Sequence, residues 1–427
     1  MEKKSNFGLG VLTGLAISLC ISALSFATVK GISVIRNKQA VSPSTETKTE
    51  YTLVTDETGS SIAERESTDY ESIINDETIE KMKSILHCLD EYYYLTPITD
   101  EEMEEGIYAG IVNALGDPYS VYYTEEELTK LLDDTAGVYY GIGAYVSIDT
   151  ATGLPKISGV IEDTPAEACG LRSDDLIYAV DDVEVYGYEL NDAVDLIRGE
   201  EGTQVELTII REDETDYLHF TVTRAKVESP TVKYEMKENG IAYIQITQFE
   251  SITTKQWEEA VSQAKKDGME KLILDLRDNP GGSLSTVVSI ADSILPEGIV
   301  CYTEDKKGKK ETEKSDADCM EIPMVVLVNG NSASASEILS GAIKDYEWGT
   351  LIGTTTYGKG IVQQIIPFTD GTGIKVTISS YFTPNGTNIH GTGIEPDIVL
   401  ELDKDAYYAE ERVDNQLEAA IDYLQGE

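Results

Sequence analysis

Three short segments of this 427-residue chain carry side chains whose types and spacing fit acyl transfer. In the first, Met324-Val325-Val326-Leu327-Val328-Asn329-Gly330 reads as a buried strand that runs into Asn331-Ser332-Ala333-Ser334-Ala335-Ser336-Glu337, where a helix begins. A hydroxyl there sits among unpaired N–H groups at the positive end of the helix dipole, which suits an oxyanion beside a nucleophile. The same pattern also reads as an ordinary serine N-cap with a capping glutamate, and the segment alone does not separate the two. In the second, Gly353-Thr354-Thr355-Thr356-Tyr357-Gly358-Lys359-Gly360-Ile361-Val362-Gln363-Gln364, one lysine stands between two glycines. Glycines let backbones approach closely, so Lys359 can be directed inward, where burial disfavours the ammonium and leaves a neutral amine able to act as a general base. Gln363, four residues on, can orient that amine by a hydrogen bond; a Gly-Lys-Gly sequence can equally be no more than a turn. The third, Leu272-Ile273-Leu274-Asp275-Leu276-Arg277-Asp278-Asn279-Pro280-Gly281-Gly282, is a strand opening into a tight turn. An N–H of Gly281 or Gly282 can join that of Ala335 in an oxyanion hole. No Gly-Lys-Ser/Thr ending follows, so it is not a phosphate loop.

The elements that must position these residues are legible from periodicity. From Ile241 onward strands (242–246, 271–276, 299–302, 324–328, 350–352, 361–367 and 373–379) alternate with helices (253–266, 284–295 and 334–346), which predicts an α/β core with a mixed, partly parallel sheet. Before it, residues 137–225 break into short strands with glycine-rich turns, a compact β-rich insertion. Helical spacing of Ile79, Met82, Ile85, Leu86 and Leu89, then of Ile107, Ile111, Val112 and Leu115, predicts two or three helices over 70–136, broken at Leu95-Thr96-Pro97 and at Gly116-Asp117-Pro118-Tyr119-Ser120. The fold class is thus α+β and multidomain, with a core over 226–403 and a last helix over 404–427.

Residues 37–69 are rich in Ser, Thr and Glu and read as a disordered acidic tether. Ahead of them, after Met1-Glu2-Lys3-Lys4, an uncharged 23-residue run from Phe7 to Val29 is long enough to span a bilayer, so 1–36 reads as a cytoplasmic tip and transmembrane anchor. Ser25-Phe26-Ala27 offers a cleavage site as the alternative, a secreted chain. In both versions the bulk of the protein lies outside the cytoplasm. The 33 basic and 78 acidic residues give a formal charge of −45, which repels phosphate backbones and argues against a nucleic-acid partner. No loop has the ligand order of a calcium site and the five cysteines have no zinc-like spacing, so no metal or other cofactor is expected. Cys88 and Cys169 read as buried small hydrophobes, while Cys301 and Cys319 flank a lysine-rich excursion that they can bridge. Of the three histidines, His87 and His219 read as ordinary residues, and His390 is the one candidate for a Ser-His-Asp alternative.

Together the three segments resemble the C-terminal processing peptidases, serine peptidases of the tail-specific type in family S41. The likeness rests on Ser332 to Glu337 followed by Lys359, 25 residues after Ser334, in its glycine frame. It implies Ser334 as nucleophile, Lys359 as general base, Gln363 as the residue that positions the lysine, and Ala335 with Gly281 or Gly282 as oxyanion donors. It extends to the β-rich insertion, where Tyr139-Tyr140-Gly141-Ile142-Gly143 resembles a PDZ carboxylate-binding loop beside an open strand edge, with 190–197 as the groove helix. Tyr140, Gly141, Ile142 and Gly143 are then the substrate-binding residues. The resemblance further implies substrates with free apolar C-termini, a PDZ module that can gate activity, and a homodimer, which the apolar stripes of the first and last helices permit.

Overall fold

A computed structural model describes residues 54–55, 61–62, 70–409 and 411–426. These fall into two compact units that divide between Pro97 and Ile98. The apolar 7–29 run lies outside the described residues, as does most of the 37–69 stretch; among the described residues no helix is long and apolar enough to cross a membrane. Inside that stretch β1 (Val54–Thr55) pairs antiparallel with β2 (Ser61–Ile62). The first unit also holds α1 (Asp76–Tyr92), capped by Asn75, whose side chain accepts from Thr78 N–H. No residue of α1 is buried, so Cys88, expected inside, is exposed: no described residue of its own unit covers that face of the helix.

The second unit begins with α2 (Asp100–Asn113), β3 (Val121–Tyr123) and α3 (Glu125–Ala136). Thr99 and Thr124 each form a capping box with the glutamate three residues on, so the sequence itself fixes where both helices start. Gly137 ends α3 in a left-handed conformation, and β4 (Val138–Gly141) leads into the insertion. Its strands are β5 (Ala144–Ile148), β6 (Pro155–Val160), β7 (Leu176–Val180), β8 (Val183–Glu184), β9 (Gln204–Ile210) and β10 (Leu218–Thr223), with α4 (Pro165–Cys169) and α5 (Leu190–Ile197). They form one sheet in the order β10-β9-β7-β6-β5, which leaves β5 as an edge. Alternate residues Val205, Leu207 and Ile209 of β9 are buried together with Ile157 and Ile177. The chain leaves by β11 (Ala225–Glu228), antiparallel to β4, so a two-stranded neck carries the insertion.

The core divides the strands expected in one sheet between two. β12 (Val232–Met236), β13 (Ile241–Ile246), β14 (Lys271–Asp275), β17 (Met324–Val328), β18 (Thr350–Gly353) and β21 (Ile398–Val399) lie side by side in that order, parallel except for the β12–β13 pair. Helices α6 (Thr253–Lys266), α7 (Leu284–Asp292) and α8 (Ala335–Asp345) cover one face, against Leu272, Leu274, Val326 and Val328. After α9 (Lys404–Tyr407), α10 (Asn415–Gln425) covers the other, its Ala420 and Leu424 packed with Ile273, Val325 and Leu327. Burial on both faces explains the unbroken apolar runs of β14 and β17. The second sheet is antiparallel, in the order β16-β15-β20-β19, and consists of β15 (Gly298–Asp305), β16 (Lys310–Ser315), β19 (Ile361–Pro367) and β20 (Gly373–Phe382), with β3 paired to β20. The Phe368-Thr369-Asp370-Gly371-Thr372 link is too short for a crossover, so β19 and β20 must form a hairpin. β16 was hidden in the lysine-rich excursion: its charged side chains blunt a sheet edge instead of marking a loop. Cys301 and Cys319 are both free, the first buried.

One polar cluster anchors the end of β14. Arg277 bonds Asp275 through Nε and Nη2 (3.0 and 2.6 Å), Asp414 through Nη1 and Nη2 (2.9 and 2.8 Å) and Gln416 through Nη1 (3.0 Å). Tyr243 donates to Asp275 at 2.8 Å. Arg277→Ala leaves the buried Asp275 carboxylate without its cation and is expected to destabilise the fold by about 3–5 kcal/mol, read as a lowered urea midpoint; an unchanged midpoint contradicts this.

Candidate active site

Ser334 sits where β17 gives way to α8. The turn between them is locked by Ser332, whose N–H donates to Asn329 O (2.9 Å) and whose Oγ donates to Leu276 O (2.8 Å). At Ser334 itself the backbone takes φ 54° and ψ −112°. A residue with a Cβ adopts that region only under strain, and strained strand-to-helix turns are the usual way to lift a nucleophile clear of both elements. Its neighbours Ala333 and Ala335 are buried, whereas Ser334 is half-exposed. Ala335 N–H lies at the first helical position and has no intrahelical acceptor.

Glu337, read from sequence as a capping residue, does more than cap. Its fully buried carboxylate accepts from Ser334 N–H through Oε2 (2.9 Å), as a capping box requires. The same oxygen accepts from Lys359 N–H (2.9 Å), while Oε1 accepts from Gly358 N–H (2.7 Å) and the Thr356 hydroxyl (2.5 Å). One side chain therefore binds the serine and the lysine loops together. Both glycines flanking Lys359 are demanded by packing: a methyl on Gly358 (φ +89°) would fall 2.9 Å from Gly393 N, and one on Gly360 2.7 Å from His390 N.

The Lys359 side chain is half-buried, with Nζ 4.6 Å from the centre of the Tyr119 ring. Burial is the main force holding its pKa below the usual lysine value; Lys375 adds repulsion, and Asp117 partly offsets both. No hydrogen bond joins Lys359 Nζ to Ser334 Oγ or to Gln363. Gln363 instead donates through Nε2 to Thr377 Oγ1 at 3.2 Å. The Asp117, Tyr119 and Thr377 group was missed from sequence, where 116–120 registers only as a helix breaker.

Of the two turn glycines, Gly281 is the one against Ser334. A methyl on it would lie 2.8 Å from Ser334 Cβ and 2.9 Å from Ala335 N. Its N–H donates to Asn279 Oδ1 at 2.9 Å. Gly282 packs on Phe249, whose N–H donates to Gly281 O (2.9 Å) and whose carbonyl accepts from Ser283 N–H (2.7 Å). His390 is exposed, and what borders Gly360 is its backbone. His87 and His219 lie beside Glu91 and Glu206 (3.6 and 3.5 Å).

In the inserted module Tyr140 and Gly141 belong to β4 and pair with Lys226 and Ala225. Ile142 is buried and its carbonyl accepts from Ala166 N–H (2.7 Å). Gly143 is left-handed (φ +86°) and lies so close to Thr164 that a methyl would fall 2.3 Å from its Cβ. The loop is thus fixed at the head of the open β5 edge. Two ion pairs tie the module to α3: Lys130 to Asp195 (2.8 Å) and Arg198 to Asp134 (3.9 Å).

Comparison with known proteins follows this layout. Residues 240–400 match peptidase family S41, residues 156–211 a PDZ domain, and residues 39–127 the N-terminal domain of the activating protease CtpB. The carboxy-terminal-processing protease of Bartonella bacilliformis is 36% identical over 316 residues, 72% of each chain. The carboxyl-terminal-processing protease of Synechocystis sp. is 34% identical over 345 residues, 79% of this chain and 81% of its own. Among solved structures, a photosystem II D1 C-terminal processing protease is 28% identical, with a TM-score of 0.45 over 76% of this chain and 88% of that one. The S41 match spans the glycine turn, the serine junction and the lysine loop, and with relatives this similar over this length the chain belongs to peptidase family S41, as a carboxy-terminal-processing serine protease with a PDZ domain.

Proposed function

We propose that this protease works outside the cytoplasm and cuts polypeptides near their C-termini through a Ser334/Lys359 dyad. The neutral Lys359 amine takes the Ser334 hydroxyl proton as Oγ bonds to the scissile carbonyl carbon. Ala335 N–H and the Gly281-Gly282 turn receive the oxyanion. The C–N bond then breaks as the ammonium gives its proton to the leaving amine, and water activated by the same amine releases the acyl group. Gln363 steadies the lysine. The observation that carries this reading is the Glu337 carboxylate, which holds the backbones of Ser334 and Lys359 on one oxygen. Proton transfer needs donor and acceptor within roughly 2.6–3.2 Å, so the amine leaves the Tyr119 face when substrate is in place.

Substrate tails with apolar ends add to the β5 edge as a further strand, their carboxylate at Tyr140 to Gly143, beside α5. Occupancy of that groove gates the peptidase. The uncharged 7–29 run supports attachment to the cell membrane, with secretion after cleavage as the alternative. The exposed Ile85, Leu86 and Leu89 of α1 support a homodimer, and a monomeric mass in light scattering of the concentrated protein removes that part of the reading.

Purified Ser334→Ala and Lys359→Ala proteins should stay folded and cleave an unfolded model protein about a thousandfold more slowly or worse, while His390→Ala keeps its rate. Because the free amine is the reactive form, the wild-type rate should rise with pH, and the depressed lysine pKa puts that rise below the ordinary lysine range. Full activity of either dyad variant defeats the mechanism. Removing the last three residues of a substrate with an apolar end should slow its cleavage about tenfold or more, as judged by mass spectrometry of products; equal rates remove the PDZ module from substrate selection.

A further inference from the structure

The turn that carries Asp117 lies in the helical approach to the core, far from the serine and lysine loops in sequence, yet it meets the lysine directly and reaches the glutamine through Thr377. Asp117 Oδ2 accepts from Ser120 Oγ at 2.6 Å and from Thr377 Oγ1 at 2.7 Å, and Oδ1 accepts from Tyr119 N–H at 3.0 Å. Thr377 N–H donates back to Ser120 Oγ at 3.1 Å, so the turn is stitched to β20 at two points.

The direction of these bonds is dictated by proton count. A carboxylate only accepts, so the one proton of the Thr377 hydroxyl goes to Asp117. Thr377 Oγ1 is then left as an acceptor for Gln363, which meets it at 3.2 Å with the amide nitrogen. The Gln363 amide oxygen is thereby turned away from Thr377 and kept as an acceptor, which is what a lysine amine with N–H groups to donate requires. Without the carboxylate, Thr377 can donate to Gln363 instead, and the amide can flip.

The same turn shapes the surroundings of the lysine. Tyr119 lays its ring under Nζ, a favourable face for the ammonium. Around that amine stand Asp117 and Tyr119 from the turn and Lys375 from β20, while Tyr357 of its own loop lies against Tyr119. Glu337 of α8 lies behind the Lys359 backbone, and His390 lies beyond Gly360. We propose that Asp117 is a positioning residue for the general base: through Ser120, Thr377 and Tyr119 it sets where the Lys359 amine rests and which end of the Gln363 amide is offered to it. This rests on Lys359 being the base. Burial works against the Asp117 charge, but the Ser120, Thr377 and Tyr119 hydrogen bonds and nearby Lys359 outweigh it and hold its carboxyl below the usual range. Asp117 is therefore the anion that favours a protonated lysine.

The test is the pH dependence of kcat for Asp117→Asn, Thr377→Val, Thr377→Ser and Lys359→Ala in the full chain, acting on an unfolded model protein. Asp117→Asn should lower kcat about 10- to 100-fold and move the acid limb to lower pH, since the anion that favours the ammonium is gone. Thr377→Val breaks the chain to Gln363 but keeps the charge, so kcat should fall while the limb stays within the wild-type range. Thr377→Ser should recover that loss. If folded Asp117→Asn has the wild-type kcat, or loses kcat with the limb unmoved, Asp117 does not position the base. If Lys359→Ala is as active as wild type, the base assignment fails and takes this inference with it.

Discussion

A buried carboxylate that has no ion-pair partner among the described residues is the constraint on which the site depends. Glu337 lies inside the core and is satisfied by four donors, three backbone N–H groups and one hydroxyl, drawn from Ser334, Thr356, Gly358 and Lys359. A charge placed there without such partners costs several kcal/mol, so the loops that supply the donors are held as firmly as the charge needs them. The serine junction and the lysine turn are thus two parts of one solvation shell. Their mutual position follows from the electrostatics of a third residue.

Rigidity of this kind permits local strain. Ser334 keeps its unfavourable φ because Ser332 is tied to Leu276 on one side and the helix begins at once on the other. Close approach is bought with small residues: Gly281 against Ser334, Gly358 against Gly393, Gly360 against His390. A side chain at any of these positions would separate segments that must touch. Small residue types here are therefore a statement about distance between backbones.

Much of this was readable from the chain. Strands β14 and β17 announce themselves as apolar runs because both their faces are covered, and α6 has its boundaries where the periodicity places them. The serine, the lysine and the glycine turn stand out because their local patterns are unusual. Glu337 did not, because a glutamate three residues into a helix already has a sufficient local explanation. Asp117 did not either: it bonds Thr377 across 260 residues, and a Gly-Asp-Pro turn has no periodicity by which to show such a partner. The strand β16 was masked by charge, and the split into two sheets follows from loop lengths that pattern alone does not weigh.

The Arg277 cluster makes the order of the site depend on a distant part of the sequence. The strand that ends in the glycine turn is anchored by Asp414 and Gln416, from the start of the terminal helix, and Lys271 at its other end donates to Leu424 O. These partners lie 137 to 153 residues further along the chain than the strand ends they hold. Without that helix the strand loses the polar partners at both its ends. The order of the strand that leads into the glycine turn is thus tied to the docking of a helix remote in sequence, so that loosening that helix would be felt at the turn.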